Sequence, residues 1–357
     1  MASLTRGRTD NANLAPTELH AEYYAQRASA GLIITESTWV SRNAIGFINL
    51  PGIYSEEQIL GWKLVTDAVH AKGGSIFLQL VHSGSVSHPD FFGGRPPLGP
   101  SAINPQEKAF TAQGFKDTVT PEAYSVSQIK ATVDEFRQAA QNANEAGFDG
   151  VEIHAQLFTL IPQFLSVATN HRTDEYGGSI PNRARILFGI IDAVKPVFGS
   201  KRVGIKFTPA LFNNGIIKPD IHTLETYSYI LEKLEGYGIG YVHLVGSSTS
   251  LTATVLEPIS QDYFGFFRSF YKGALIANLG FGRESGNEIL SNGNADLVSF
   301  GTPFIANPDL VYRFERNIDF ALPDVGTFYT GGAKVILITL LQQLILKRAL
   351  NKPIFWL

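Results

Sequence analysis

The chain has 357 residues, of which 44% are hydrophobic and 17% charged, with a formal net charge of -3 and no cysteine. This composition is typical of a globular protein and argues against disorder, disulfides and thiolate chemistry. There is no basic stripe or polybasic patch, which argues against nucleic-acid and membrane-surface binding, so we expect a small-molecule partner. The lack of cysteine and of an apolar signal in MASLTRGRTD favours a cytoplasmic protein.

Short apolar, β-branched runs alternate with longer stretches of helical period, which predicts repeated strand-helix units and a parallel sheet. The runs are nearly continuous in apolar character, as expected of strands buried on both faces. We therefore predict one (β/α)8 barrel domain over residues 1–357, because such barrels fill this length with a single core. The strands are predicted at residues 2–5, 32–36, 75–80, 150–154, 202–207, 241–245, 274–278 and 296–299.

The helix after the second predicted strand has clear boundary signals. Ser55 followed by Glu56 and Glu57 marks its start, and Gly73 and Gly74 mark its end. The length of the intervening stretch agrees with one helix between two strands, which supports the proposed alternation.

Two long insertions, at about residues 81–122 and 155–181, follow the third and fourth predicted strands. Barrels of this kind build their active sites at the C-terminal ends of the strands, so we expect both insertions to border the site. Residues 335–357 form an atypical apolar tail, interrupted by Gln342 and Gln343 and too short for a transmembrane helix. We expect a packed or interface helix there, through which the chain could form a homo-oligomer.

Six segments spread along the sequence carry more specific patterns. They are EYYAQRASAGLIITEST (22–38), LQLVHSGSVSHP (78–89), EAGFDGVEIH (145–154), NHRTDEYGGSIPNRAR (170–185), FGTPFIANPDL (300–310) and TFYTGG (327–332). Together they resemble the old yellow enzymes, the FMN-dependent ene reductases, over nearly the whole chain. Compared with that family, the sequence lacks the N-terminal hairpin that covers the bottom of the barrel.

The resemblance implies an FMN molecule across the C-terminal mouth of the barrel. Thr5 matches a threonine that contacts the flavin carbonyl, and Gln79 matches a glutamine on the pyrimidine edge. His154 matches the first histidine of the pair that binds the substrate anion. Other positions implied to contact the cofactor are Ser37, Gly280, Gly301, Phe328 and Tyr329.

Four positions depart from the family pattern. Leu157 replaces the second anion-binding residue, and Thr159 replaces the tyrosine that protonates the substrate; leucine has no donor, and a threonine hydroxyl is a much weaker acid than a phenol. Lys206 and Thr302 replace two arginines that contact the flavin and its phosphate. Because a charge-assisted hydrogen bond contributes roughly 1.5 to 3 kcal/mol, we expect FMN binding to be weakened about ten- to a hundredfold, or absent.

The candidate site residues follow from these matches, and no metal site is expected. An apolar mouth suits a small hydrophobic substrate, and we expect its lining to include Val81, Leu157 and Phe158. The candidate catalytic residues are His154, Lys206, His82 and Thr159. Each of them has an ordinary alternative: a strand-end histidine satisfied in the core for His154, a snorkelling lysine for Lys206, an exposed loop histidine for His82 and a neutral filler for Thr159.

Three functions are compatible with this site. We expect first a redox-neutral isomerase or epimerase of a hydrophobic natural-product intermediate, in which His154 with Lys206 or His82 moves a proton next to a carbonyl. The alternative is the implied family reaction, in which FMN takes a hydride from NADH or NADPH and passes it to an activated alkene. A second alternative is a catalytically inactive binding module, because fold alone does not establish activity.

Overall fold

The computed structural model describes residues 1–156, 158–213, 215–329 and 331–332. Leu157 lies outside the described residues, as does the predicted C-terminal helix at 335–357 with its proposed interface. Within the described part of the chain, no helix is long and apolar enough to cross a membrane.

Seven strands form one parallel sheet, and they lie side by side in the order in which they occur along the chain. Their helices alternate with them along the chain, which is the predicted strand-helix pattern. The strands are β1 (Ile33–Trp39), β2 (Ile76–Val81), β7 (Gly150–Ala155), β8 (Val203–Phe207), β9 (Tyr241–Val245), β10 (Leu275–Asn278) and β11 (Leu297–Ser299).

The N-terminal segment occupies the eighth position and closes the barrel. The Ala2 N–H donates to the carbonyl of Phe300 at 2.9 Å, and the carbonyl of Met1 accepts from the N–H of Ile34 at 3.1 Å. The segment therefore bridges the end of β11 to β1, and the (β/α)8 architecture is confirmed. The predicted first strand at 2–5 is wrong in detail, however, because these residues do not form a regular strand.

Side-chain hydrogen bonds hold the chain directly after this segment. The backbone N–H groups of Arg6 and Gly7 donate to the Glu36 carboxylate at 3.0 and 3.2 Å instead of to a strand ladder. Glu36 itself is buried, and burial raises the pKa of its carboxyl group despite these donors. The chain is thus anchored to β1 by a carboxylate rather than by continuous pairing.

The remaining predicted strand boundaries agree with the structure to within one residue, except at β1. The prediction ended at residue 36, but β1 continues to Trp39, which pairs with Val81 of β2. The register between the two strands shifts between Ile34 and Ser37. This irregularity allows the strand to continue to the mouth of the barrel.

Eleven α-helices lie among the described residues. The helix predicted after Ser55 forms, since the Ser55 hydroxyl accepts from the Gln58 N–H and Gly73 takes a left-handed φ of +75° beyond its end. The helices are α1 (Glu18–Ala25), α2 (Glu56–His70), α3 (Val126–Glu145), α4 (Leu160–Leu165), α5 (Ile180–Arg183), α6 (Arg185–Phe198), α7 (Thr223–Glu235), α8 (Tyr263–Phe270), α9 (Arg283–Ser291), α10 (Thr302–Ala306) and α11 (Leu310–Arg316).

The two predicted insertions contain short structure of their own. The insertion after β7 contains α4, and the insertion after β2 contains four short strands. Two of these strands pair in parallel and two form an antiparallel hairpin. They are β3 (Leu98–Gly99), β4 (Lys108–Thr111), β5 (Gly114–Asp117) and β6 (Glu122–Ala123).

The barrel strands are buried on both faces, as their apolar sequences predict. Every residue of β8 and of β9 is buried. Some of the inward-facing side chains are nevertheless ionisable, among them Glu152 on β7, Lys206 on β8 and His243 on β9. A buried charge is destabilising unless it is paired. These residues therefore mark the top of the barrel as a candidate functional site.

Candidate active site

A cavity of about 700 Å³ opens at the C-terminal ends of the strands. It lies where the sequence places the active site, between the N-terminal segment, β1, β2, β7 and the insertions. The predicted site residues that it brings together are Thr5, Ser37, Val81, His154, Phe158, Thr159 and Tyr329.

A second cavity of about 420 Å³ lies beside the ends of β10 and β11. Its lining includes the predicted Gly280, Gly301 and Thr302. Leu4 lines this cavity and its neighbour Thr5 lines the larger one, so the N-terminal segment borders both. Among the residues that the structure describes, no group of acidic or histidine side chains is arranged to hold a metal ion.

Gln79 and Lys206 line neither cavity. Their side-chain nitrogen atoms contact the same hydroxyl group. Gln79 Nε2 and Lys206 Nζ both approach Ser3 Oγ, at 2.8 and 2.9 Å. Gln79 is also held by Ser37 Oγ, which donates to its Oε1 at 2.8 Å. Ser3 was not among the predicted site residues, although it lies next to the barrel end that the sequence identified.

Glu152 connects this cluster to β9. Its carboxylate accepts from Gln79 Nε2 at 2.7 Å and from His243 Nδ1 at 2.8 Å. Burial raises the pKa of Glu152, but His243, Lys206 and Gln79 together outweigh burial and hold the pKa below its usual value. Glu152 is therefore an ionised counter-charge for Lys206 inside the barrel.

His243 extends the network toward the second cavity. Burial lowers the pKa of this ring to about 4, so the neutral ring donates from Nδ1 to Glu152 and accepts at Nε2 from Ser299 Oγ at 2.7 Å. Ser299 Oγ also accepts from Asn278 Nδ2 at 2.8 Å. Sequence reasoning missed Glu152 and His243, although both are polar residues inside apolar strands. Glu152 also lies two positions from His154, on the same strand face.

His154 is held at the cavity wall in a neutral state. It pairs in register with Lys206 on the adjacent strand. Burial, and then the nearby charge of Lys206, lowers the pKa of His154 to about 3. Its Nδ1 is buried and has no hydrogen-bond partner among the described residues. The Nδ1 atom is thus available to hydrogen-bond a ligand.

The Thr159 hydroxyl is hydrogen-bonded to backbone carbonyl groups. Its Oγ1 donates to the carbonyl of Gln156 at 2.6 Å and lies 3.2 Å from the carbonyl of His154. Thr159 precedes the first turn of α4 and is buried. These bonds support the neutral-filler alternative over a catalytic role for this residue.

His82 has a structural position that the sequence did not predict. It is 2% exposed, so the alternative of an exposed loop histidine is wrong. Its Nδ1 accepts from the Gly84 N–H at 2.9 Å, and its Nε2 lies 3.4 Å from the Tyr124 hydroxyl. Burial lowers the pKa of the ring to about 3. Residues on either side of His82 line the large cavity, whereas His82 itself anchors the insertion.

The C-terminal aromatic residues are fixed by Arg8. Its guanidinium donates to the carbonyls of Thr327 and Phe328 at 2.7 and 2.6 Å. Tyr329 then lines the large cavity, with its ring 6.3 Å from that of Phe47. Phe328 lines neither cavity, so only one of the two predicted aromatics borders the site.

Comparison with known proteins identifies the family. Residues 1–320 match the family described as NADH:flavin oxidoreductase / NADH oxidase. The chain belongs to this family, the old yellow enzymes. It is 42% identical over 315 residues to putative 12-oxophytodienoate reductase 5 of Oryza sativa subsp. japonica, which covers 87% of this chain and 82% of that protein. It is 40% identical over 331 residues to flavin oxidoreductase hxnT of Emericella nidulans, covering 88% and 84%.

Solved structures of this family share the fold. Morphinone reductase in complex with tetrahydroNAD superposes with a TM-score of 0.86 at 40% identity, covering 94% of this chain and 91% of the other. The old yellow enzyme homologue from Zymomonas mobilis gives a TM-score of 0.86 at 35% identity, covering 94% and 93%. The resemblance drawn from the motifs is therefore confirmed.

The residues at the mouth fit the FMN cofactor of this family. Hydroxyl groups of Thr5 and Ser37 line the larger cavity, and the buried Nδ1 of His154 has no partner among the described residues. The ammonium group of Lys206 is one hydrogen bond from Ser3, which lines the second cavity. Such groups match the carbonyl oxygens and ring nitrogens of a flavin.

Proposed function

We propose that the protein is an FMN-dependent reductase that uses NADH or NADPH to saturate the C=C bond of an α,β-unsaturated carbonyl compound. The observation that carries this proposal is the neutral His154 ring with an unpartnered nitrogen at the wall of the large cavity. Membership of the flavin oxidoreductase family supports it. It replaces the isomerase as our preferred function, because the residues that fit FMN are largely retained.

Several residues would hold the cofactor. Thr5 and Ser37 would contact the ring, and Lys206 would place a positive charge near it. Gly301 and Thr302 border the cavity that suits the phosphate. When bound, FMN supplies a hydride relay from the nicotinamide to the β-carbon of the alkene.

The protein's own contribution to the reaction is orientation and electrostatics. The His154 N–H would donate to the substrate carbonyl oxygen and stabilise the negative charge that develops there. In the family pattern a second donor assists, but Leu157 has none. We therefore infer that His154 alone polarises the carbonyl, together with the positive field of Lys206.

The replacement of two arginines is expected to lower the affinity for FMN but not to remove the FMN site. Lys206 keeps the positive charge of one arginine, whereas Thr302 keeps no charge. We propose that FMN binds, and that its phosphate is held less tightly than an arginine would hold it. The difference expected from one charge-assisted hydrogen bond is about ten- to a hundredfold.

The walls of the large cavity favour a hydrophobic substrate. Aromatic and aliphatic side chains contribute much of its surface, and polar side chains such as Thr5, His154 and Asn213 lie among them and can orient a ligand. The natural-product intermediate predicted from the sequence fits this character. The apolar lining residues are Trp39, Phe47, Leu50, Val81, Val86, Phe115, Phe158 and Phe212. We also retain a cytoplasmic location as a proposal, because the chain has no cysteine.

Redox-neutral isomerisation is the second candidate. The observation that favours it is the Thr159 hydroxyl, which bonds to the backbone where the family pattern has an acidic phenol. A neutral His154 could accept a proton next to a carbonyl without any hydride source. The two reactions differ in their requirement for reduced nicotinamide.

Product analysis separates these functions. The protein, FMN and an apolar cyclic enone are incubated with and without NADPH or NADH, and the products are analysed by chiral gas chromatography. The proposed function predicts the saturated ketone only when reduced nicotinamide is present. Stereoisomers or shifted alkenes formed without nicotinamide would favour the isomerase. No conversion under either condition would favour the inactive binding module.

A further inference from the structure

Glu107 places a carboxyl group in the wall of the same cavity as His154. It lies in the insertion after β2, immediately before the hairpin strand β4. Sequence reasoning did not single it out. Glu107 is of interest because Thr159, at the position of the family's proton donor, has its hydroxyl hydrogen-bonded to backbone carbonyl groups.

The backbone of Glu107 is fixed on both sides of the residue. Its N–H donates to Thr118 Oγ1 at 3.0 Å, and its carbonyl accepts from the Thr118 N–H at 2.9 Å. Asn213 donates from Nδ2 to the Glu107 carboxylate, and Gly215 lies so close that a side chain there would collide with it. The carboxyl group is therefore positioned by the fold rather than free on a loop.

The charges around Glu107 leave it without a cationic partner. Within the described part of the chain it makes no ion pair, whereas the neighbouring Lys108 is bound to Asp117 at 2.6 Å. Burial, opposed by the Asn213 amide, raises the pKa of Glu107 to about 7. The other titratable groups that line this cavity are Lys108, Asp117, His154 and Tyr329.

A carboxyl group that titrates near neutral pH can both hold and release a proton under physiological conditions. His154 does not meet this requirement, because its ring is neutral and its N–H is assigned above to the carbonyl oxygen. Tyr329, by contrast, is 53% exposed. Glu107 is the lining group whose chemistry suits proton transfer best.

We propose that Glu107 is the proton donor to the substrate α-carbon, a role that rests on the proposed reductase function. The hydride, which comes ultimately from NADH or NADPH, forms the C–H bond at the β-carbon and leaves an enolate. The O–H bond of Glu107 then breaks, and the enolate electron pair forms the C–H bond at the α-carbon. Solvent at the open mouth of the cavity reprotonates the carboxylate.

The test compares the two half-reactions of the FMN-loaded protein by stopped-flow absorbance. Glu107→Gln keeps the size of the side chain and an acceptor for Asn213, but cannot supply a carboxyl proton. We expect reoxidation by the enone to slow by about a hundredfold or more at pH 7. Reduction by NADPH should change by less than about twofold. Glu122→Gln, which removes an exposed carboxylate from the same insertion, is the matched control.

The pH dependence and the titration itself provide independent readouts. In the wild type, enone reoxidation should slow as the pH rises through about 7, whereas this step should be absent in Glu107→Gln. Glu107→Asp should retain the pH step at a reduced rate. Carbon-13 NMR of the labelled glutamate carboxyls should show one resonance titrating near pH 7 that the Gln variant lacks.

The outcomes distinguish this inference from the proposed function. A wild type that is reduced by NADPH, with Glu107→Gln reoxidised at the wild-type rate and pH profile, overturns the role of Glu107 alone. A wild type whose flavin is not reduced by either nicotinamide overturns both proposals. If the Gln variant fails to fold, the pH step of Glu107→Asp and the loss in that variant of the glutamate resonance titrating near pH 7 decide the question.

Discussion

His154 and Lys206 are register partners on neighbouring parallel strands, and both side chains lie at the top of the barrel. After burial, the Lys206 charge is the largest influence that keeps the His154 ring neutral. Burial lowers the pKa of Lys206, and the ionised Glu152 opposes this shift and favours the charged form. The pair thus combines a neutral hydrogen-bond donor with a fixed positive charge, which suits a substrate carbonyl that becomes an oxyanion.

Replacing Lys206 by Met should weaken FMN binding by about ten- to a hundredfold, because one charge-assisted interaction of roughly 1.5 to 3 kcal/mol is lost. Lys206→Arg should bind FMN at least as tightly as the wild type, since the charge is retained and a planar fork is gained. Quenching of flavin fluorescence measures the dissociation constants. Equal affinity in the Met variant would show that Lys206 does not act on the cofactor.

Thr302→Arg should tighten FMN binding by about ten- to a hundredfold, because it restores a guanidinium beside the cavity assigned to the phosphate. Thr302 is exposed at the start of α10, so the larger side chain should not disturb folding. Thr302→Gln adds length without charge and serves as the control. Riboflavin, which has no phosphate, should show no such gain, and an equal gain for riboflavin would contradict the assignment.

Thr159→Val should lower stability by about 0.5 to 1.5 kcal/mol, because it removes a hydroxyl that bonds to the Gln156 carbonyl. Enone reduction should stay within about twofold of the wild type, since the hydroxyl is not assigned to chemistry. Urea unfolding gives the first quantity and steady-state kinetics the second. A large fall in kcat with unchanged stability would restore Thr159 as a catalytic residue.

Stability should fall as the pH drops below 6.5, because three buried histidines, together with His154 in the site, resist protonation in the folded state. Burial lowers the pKa of His20 and His243 to about 4 and that of His82 to about 3, from an ordinary value of 6.5. Their contribution is complete above pH 6.5 and declines as the pH falls toward these values, since only the unfolded chain takes up the protons.

Urea unfolding between pH 7.5 and 5 measures this effect. Each histidine contributes at most about 1.4 kcal/mol per pH unit. His82→Gln should reduce the slope by up to this amount, whereas His171→Gln, on an exposed side chain, should leave it unchanged. A pH slope in His82→Gln equal to that of the wild type would contradict the burial of the His82 ring.

Much of the barrel could be predicted because its strands are short apolar runs whose burial is dictated by the fold. The first predicted strand does not form as a regular strand, and directly after it the N–H groups of Arg6 and Gly7 bond to the Glu36 carboxylate, a contact between distant parts of the chain that the sequence does not show. The extension of β1 to Trp39 depends on a register shift that hydrophobic pattern does not encode.

The site was predictable where it consists of strand ends. Thr5, Ser37 and His154 converge because parallel barrel strands end at the same mouth. Glu107 was not predictable in this way, since it comes from an insertion whose path depends on tertiary contacts with Thr118 and Asn213. Likewise, the sequence does not predict that the Thr159 hydroxyl bonds to backbone carbonyl groups, because these contacts depend on the folded structure.

The central claim is that the mouth of the barrel binds FMN and passes electrons from nicotinamide to an enone. The most direct measurement is the visible absorption spectrum of the protein mixed with FMN and freed of unbound flavin under anaerobic conditions. The account predicts a yellow protein that bleaches with NADPH or NADH and regains its colour when 2-cyclohexenone is added. A protein that retains no flavin, or whose bound flavin is not bleached by either nicotinamide, would contradict it.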